Sequence, residues 1–502
     1  MKKSTIICIA YMALCYTGLV AQSTYFNITE SQKFKDKNKT TVVEAVYTTD
    51  TNETIVARST FKNLIFEIYD NKANIVFNYE APLNKRESIV GELFYGNTLK
   101  IFTVFSPTKT ERVISCHLLN IVDETYKKIE LYNTTVEKRQ LLFSGQNKRQ
   151  TNFSISPNEQ FLAIATDNIK KNINSYLIHV FDAQTLQLLY TKEYYSNEEK
   201  FFQSSDMAID NSGNIYNLGK EYIKGRKDKK DNKANYTFVL NKINKESIET
   251  QHIALGEQEY IESLRIIFKE DTMNFVGFYS EERSGRIKGI IQIKIDNNTL
   301  AVLEKKSFKL PKEVYEGIYG YRKAVKKSKK ELRSFYLDYF LEDEFGNVYI
   351  VAEEFYVTQS YVSNGMNGGG YWATTYHYDD ILILKFNTEG KLEWGRSIFK
   401  KDGSPSYYAF TYRDKLHIFL NSGKNLKEKK DGRVKVSKSW FESSVLYDFV
   451  YDKDGNVTRE VIQENKGKTR YIPYSGSFRD GKFIMFNHSK NRKRLMILEA
   501  KN

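Results

Sequence analysis

The chain has 502 residues, 41% of them hydrophobic and 27% charged, with a formal net charge of +14, six prolines and three cysteines. Beyond residue 21 no stretch approaches 18 uninterrupted apolar residues, which excludes a membrane-spanning helix from the remainder. Cys8 and Cys15 lie within those first 21 residues, so Cys116 stands alone after them and has no partner for an intramolecular disulfide.

Residues 1–21 have the parts of a secretory signal: Lys2 and Lys3, an apolar run over 6–20, and Ala21 before Gln22. The run is 15 residues, too short to cross a bilayer, and Leu14 before Cys15 does not fit a lipoprotein signal. The expectation is a signal peptide at 1–21 and an exported mature domain at 22–502, in the periplasm or at the cell surface.

From there one local grammar recurs: alternating Tyr, Phe, Ile and Val, a tight turn with Gly, Asn or Asp, then another such run. No linker or Pro/Ser-rich tract interrupts it, so the mature chain reads as one repeat domain. Units fall at 42–82, 88–135, 151–194, 202–256, 259–310, 335–400 and 406–464. The clearest divides into strands at 335–341, 348–357, 381–386 and 392–399, with Gly346 and Gly390 in its two hairpin turns. Four antiparallel strands make one propeller blade. A last unit supplies only three strands, 471–478, 482–487 and 494–498, and the extended segment 24–31 is placed to complete it. The predicted fold is therefore all-β, a single β-propeller of eight four-stranded blades closed by an N-terminal strand, with seven blades as the alternative. Cys116, inside the apolar run 113–119, reads as a packed core thiol.

Within the third unit, Phe153-Ser-Ile-Ser-Pro157-Asn-Glu-Gln-Phe161-Leu-Ala-Ile-Ala resembles the strand-turn-strand of TolB-like and WD40-like propellers, with Asn158-Glu159 where those favour Asp-Gly. The resemblance covers about a dozen residues, supports the architecture and implies no activity. More broadly the chain resembles propeller proteins secreted by Gram-negative bacteria.

In a propeller, the connections from the second to the third strand of a blade, and from one blade to the next, emerge on one face. Three long insertions fall there, 220–233, 311–334 and 424–439, and their net charges of +4, +5 and +5 sum to +14. The mature chain carries 14 − 2 = +12 without Lys2 and Lys3, so everything else sums to −2. Residues 137–149, another connection of this class, add four basic residues. Such one-sidedness steers anions, and Lys227, Lys230, Lys326, Lys327, Lys429 and Lys430 are candidate contacts. The plainer alternative is lysine-rich loops that only keep an exported protein soluble. A fourth insertion, 358–378, is glycine-rich with aromatic ends, and Tyr361, Tyr371, Trp372 and Tyr376 are candidate ligand contacts, as against aromatics that merely pack the loop down.

Histidines at 117, 179, 252, 417 and 488 are scattered singly, so neither a metal nor another cofactor is expected. The calcium-like Asp452-Lys-Asp454-Gly455-Asn456 has Gln463 where such a loop needs Glu, and reads as an Asx turn. No Gly-x-Ser-x-Gly elbow occurs, and Glu353-Glu354 alternate across a strand, which separates them as an acid/base couple. The function expected is a non-catalytic, monomeric binding or scaffold protein of the cell envelope, recognising an anionic polysaccharide or acidic envelope protein and no nucleic acid. The alternative is a polysaccharide-active enzyme, specifically a lyase, because the chain is rich in the Tyr, His, Arg and Lys that such propellers use.

Overall fold

The computed structural model describes residues 23–136, 151–167, 175–195, 201–223, 229–230, 233–253, 260–269, 272–281, 286–363, 370–424, 426–430, 433–437 and 442–501. The first strand to be paired, Phe26–Glu30, does not begin a sheet of its own. It is the outermost strand of the last blade, antiparallel to Leu495–Ala500 with Phe26 opposite Ala500 and Glu30 opposite Met496. Eight four-stranded antiparallel blades follow round the ring, and the seven-blade alternative is excluded. Blades 1 to 7 span residues 42–82, 88–135, 151–195, 201–253, 260–309, 335–400 and 407–464, and blade 8 joins residues 477–500 to residues 26–30.

Packing is between neighbours. Buried clusters link blade 1 to 2, 2 to 3, 3 through 5, 5 to 6, 6 to 7, 7 to 8 and 8 back to 1, so the apolar core is a closed circuit with no free end. Cys116 belongs to the cluster between blades 2 and 3 and is fully buried.

Asx turns make one face tight. Asp210, Asp343 and Asp452 each accept backbone N–H bonds from residues two and four positions on, through one carboxylate oxygen, and Gly213, Gly346 and Gly455 supply the left-handed position. In blade 3, Glu159 takes that position at φ +57°, while Ser156 Oγ accepts from the Gln160 and Phe161 amides.

Three sequence expectations need correction, and two of the changes shape the opposite face. The insertion 311–334 is mostly helical, with α1 at Lys312–Tyr319 and α2 at Tyr321–Lys327 meeting at Gly320 (φ +79°). Val314, Tyr315 and Ile318, at helical spacing, are buried against blades 5 and 6. The insertion 358–378 continues the ladder as a hairpin of Val348–Ser363 and Gly370–Phe386, whose Val, Thr and Tyr residues favour extended backbone. In blade 8 the inner strand shrinks to Ser477–Arg479, because Pro473 starts a 3₁₀ turn over Pro473–Ser475 where a longer strand was expected.

Candidate functional site

Two of the three basic insertions are joined into one body. Val434–Val436 pairs in parallel with the end of blade 6, placing Lys435 opposite Phe399 and Val436 opposite Lys400, and Lys427–Glu428 adds a further strand. Arg433 Nη1 then donates to the carbonyl of Ile318 at the end of α1, at 2.7 Å. Lys429 and Arg433 lie 4.9 and 4.3 Å over the Phe399 ring. Beneath, Ser397 Oγ donates to the Val314 carbonyl at 2.9 Å, and a Cβ at Gly317 would sit 2.2 Å from that hydroxyl, so only glycine lets the helix lie this close.

The outcome is a cationic plate on the outer edge of blade 6. On α2 only Ala324 is buried, and Arg322, Lys323, Lys326 and Lys327 are exposed, as are Lys329, Lys330, Lys429 and Lys430. None of these eight makes an ion pair among the described residues. Lys327 instead lies 5.0 Å over the Tyr319 ring. Lys326, Lys327, Lys429 and Lys430 are thus brought onto one surface. Of the third insertion, Lys229–Lys230 pairs with Lys233–Ala234 in a short hairpin. Lys227 and the Lys230 side chain lie outside the described residues, as do the side chains of Tyr361, Tyr371 and Trp372.

Tyr376 is 52% exposed on the protruding hairpin. Its ring stacks at 6.5 Å on Phe355, which also meets Tyr378 at 4.8 Å and the exposed Tyr336 at 6.1 Å. Below these aromatics the ladder breaks, with Glu354 on one strand and Asp379-Asp380 on the other left between the pairs Glu353–Ile381 and Phe355–Tyr378. Glu353 is buried and ion-paired with Lys400 at 2.7 Å, while Lys400 also donates to the Tyr378 carbonyl and to Ser406. Tyr407 donates to Asp338 at 2.6 Å, and Tyr356 to Asp379 at 2.9 Å.

Burial pushes the Glu353 carboxyl up to about 7 even though Lys400 opposes the shift. Glu354 is pushed up to about 7 as well, by burial and then by Asp379, with Lys401 opposing. Burial, followed by Glu354, raises Asp380 well above the usual carboxylate range. The two glutamates therefore have separate surroundings, as alternation along a strand requires. Tyr474, half-exposed between blades 7 and 8, is raised by burial, with Tyr378, Asp338 and Glu353 adding to it.

An aromatic shelf above buried carboxylates offers ring faces to apolar surface and acceptors to hydroxyl groups. Asp338, Glu353, Tyr378, Lys400 and Tyr474 were not singled out as site residues from the sequence. The available signal was two acidic doublets, Glu353-Glu354 and Asp379-Asp380, at the inner ends of one insertion. Among the described residues no cluster of three or more His, Cys, Asp or Glu side chains is arranged to hold a metal ion.

No family model and no curated protein matches the chain. Solved structures do match over most of its length. The polysaccharide lyase Uly1 is 9% identical with a TM-score of 0.37, covering 95% of this chain and 99% of its own. The β-propeller domain of the Trilobed protease from Pyrococcus furiosus is 12% identical with a TM-score of 0.35, covering 83% and 95%. The chain spans 59% of the length of a prolyl endopeptidase that it matches at 7% identity and a TM-score of 0.38. At these identities and TM-scores the matches carry no argument about this chain, whose propeller fold rests on its own eight blades.

Proposed function

We propose that the protein is an exported, non-catalytic binding or scaffold protein of the bacterial cell envelope, and that it recognises an anionic glycan or an acidic envelope partner through the face bearing the basic insertions. The supporting observation is the joining of two of those insertions through Arg433 and Ile318, insertions that between them carry eight exposed lysine and arginine side chains. Lysines that served only for solubility need no such fixed arrangement. Fixed cations bind a polyanion with less ordering cost than mobile ones, and their attraction weakens as salt rises.

The test is binding of the protein to arrays of neutral and anionic glycans at low and high salt, with product analysis of every hit. Salt-sensitive binding without products is expected. Lys326→Glu/Lys327→Glu and Lys429→Glu/Lys430→Glu, made separately, should each weaken binding by about tenfold at low salt, or roughly 1.4 kcal/mol. Affinity unchanged in both variants would overturn the reading.

A lyase is the second reading, favoured by Glu353 and Glu354, whose carboxyls titrate about pH 7 beside several tyrosines. Against it, Lys400, the cation buried at the hairpin base, is already engaged by Glu353, the Tyr378 carbonyl and Ser406, and is not free to hold a uronate. New unsaturated ends absorbing in the near ultraviolet would establish the enzyme.

A further inference from the structure

The closure of the ring creates a second cationic feature, distinct from the plate. A cleft of about 1020 Å³ opens between blades 7 and 8, lined from blade 7 by the loop 464–469 and from blade 8 and its closing strand by Glu30, Lys33, Asn487, Arg492 and Arg494. Lys33, Lys466, Lys468 and Arg492 are exposed in it, and none of the four makes an ion pair among the described residues. The acids of the cleft are already engaged, Glu30 by Arg494 at 2.7 Å and Glu464 by Lys424 at 3.0 Å. Its floor is aliphatic, built from Ile28, Val461, Ile462 and Met496, and no aromatic ring lines it.

From this we infer that the cleft is a binding site for an organic polyanion of a few hundred daltons, carrying phosphate or sulfate groups on a carbon skeleton. Cations on facing walls take the charged groups, and the aliphatic floor takes the skeleton. The volume is that of a site for a small molecule rather than for a single inorganic ion. Because Phe26–Glu30 forms part of one wall, the ligand binds only the closed ring and stabilises closure by mass action.

The test is calorimetry and thermal unfolding of the protein with a sulfated tetrasaccharide and with a phosphorylated disaccharide, each against inorganic sulfate at matched ionic strength. At least one probe should bind about tenfold or more tightly than sulfate and raise the melting temperature. Lys466→Glu/Arg492→Glu should weaken that probe about tenfold or more and abolish the thermal shift, while Lys326→Glu/Lys327→Glu on the plate leaves both unchanged. The inference is overturned if neither probe surpasses sulfate, if the cleft variant binds normally, or if the plate variant is the one that fails. Which probe binds distinguishes a sulfated ligand from a phosphorylated one.

Discussion

Tyr471 Oη donates to Glu30 Oε1 at 2.8 Å, joining residues 441 positions apart in the sequence. Arg494 Nη1 holds the other Glu30 oxygen at 2.7 Å, so the end of the closing strand is fixed from the start of its one neighbouring strand and from the segment that precedes the inner strand of the blade. Phe26, 1% exposed, buries its ring at the other end of the strand against Phe410, Phe419 and His417. Deleting residues 23–31 removes this strand and reopens the edge of blade 8. The melting temperature should fall by many degrees. Phe26→Ala alone should cost about 3–5 kcal/mol as a core cavity, and a denaturant titration that showed under 1 kcal/mol would mean that the strand contributes little.

Just beyond that strand, the chain carries its lock into blade 1. Arg58 makes a two-pronged contact with Glu67 at 2.9 and 2.6 Å and a third bond to Asp36 at 2.6 Å, and all three residues are buried. Tyr69 also donates to Glu67. Glu67→Gln should destabilise the protein by about 3–5 kcal/mol, because it leaves the guanidinium charge only partly compensated in the interior. Equilibrium unfolding in urea measures this directly. A neutral result would show that Asp36 alone satisfies Arg58.

How much of this was legible in the sequence depended on the range of the interaction that decides each element. Alternation and Asx-turn chemistry are local, which is why blades 1 to 7 and the turn at Asp452 could be placed, and a missing fourth strand at the end of a repeat pointed back to residues 24–31. The helices at 312–327 were hidden because their apolar face is only Val314, Tyr315 and Ile318 within a lysine-rich segment, and that face matters only once blades 5 and 6 are there to cover it. The parallel pairing of residues 399–400 with residues 435–436 joins the outer strand of blade 6 to an insertion of blade 7, and nothing near either segment announces it. The same holds for Asp338 beside Tyr407, and for Lys400 beside Glu353, whose meeting is set by a break in the ladder.

Cys116 offers a check on the core between blades 2 and 3. It is fully buried, and burial pushes its thiol up to about 12, so at neutral pH almost no thiolate exists to react. An aromatic disulfide reagent should therefore leave it unmodified in the native protein and react with it promptly in denaturant. Prompt reaction without denaturant would show that this part of the ring opens locally.

The hairpin base makes the last prediction, and its sign follows from linkage. The Glu354 carboxyl, ordinarily 4.5, is raised to about 7 in the folded chain by burial and the nearby Asp379. Between those values the folded state holds more protons than the unfolded one, so stability falls as pH rises from about 4.5 to about 7. The contribution is fully present below the lower value and lost above the upper. Glu354→Gln removes the carboxylate without removing the side chain, and should flatten that part of the pH profile. At pH 8 the variant should be more stable than the parent, by about 1 kcal/mol once solvent screening of this partly exposed group is allowed for. Melting temperatures of the two proteins across the range give the answer. A variant that is less stable at pH 8 would mean that the Glu354 carboxylate is held by a favourable contact that outweighs its burial.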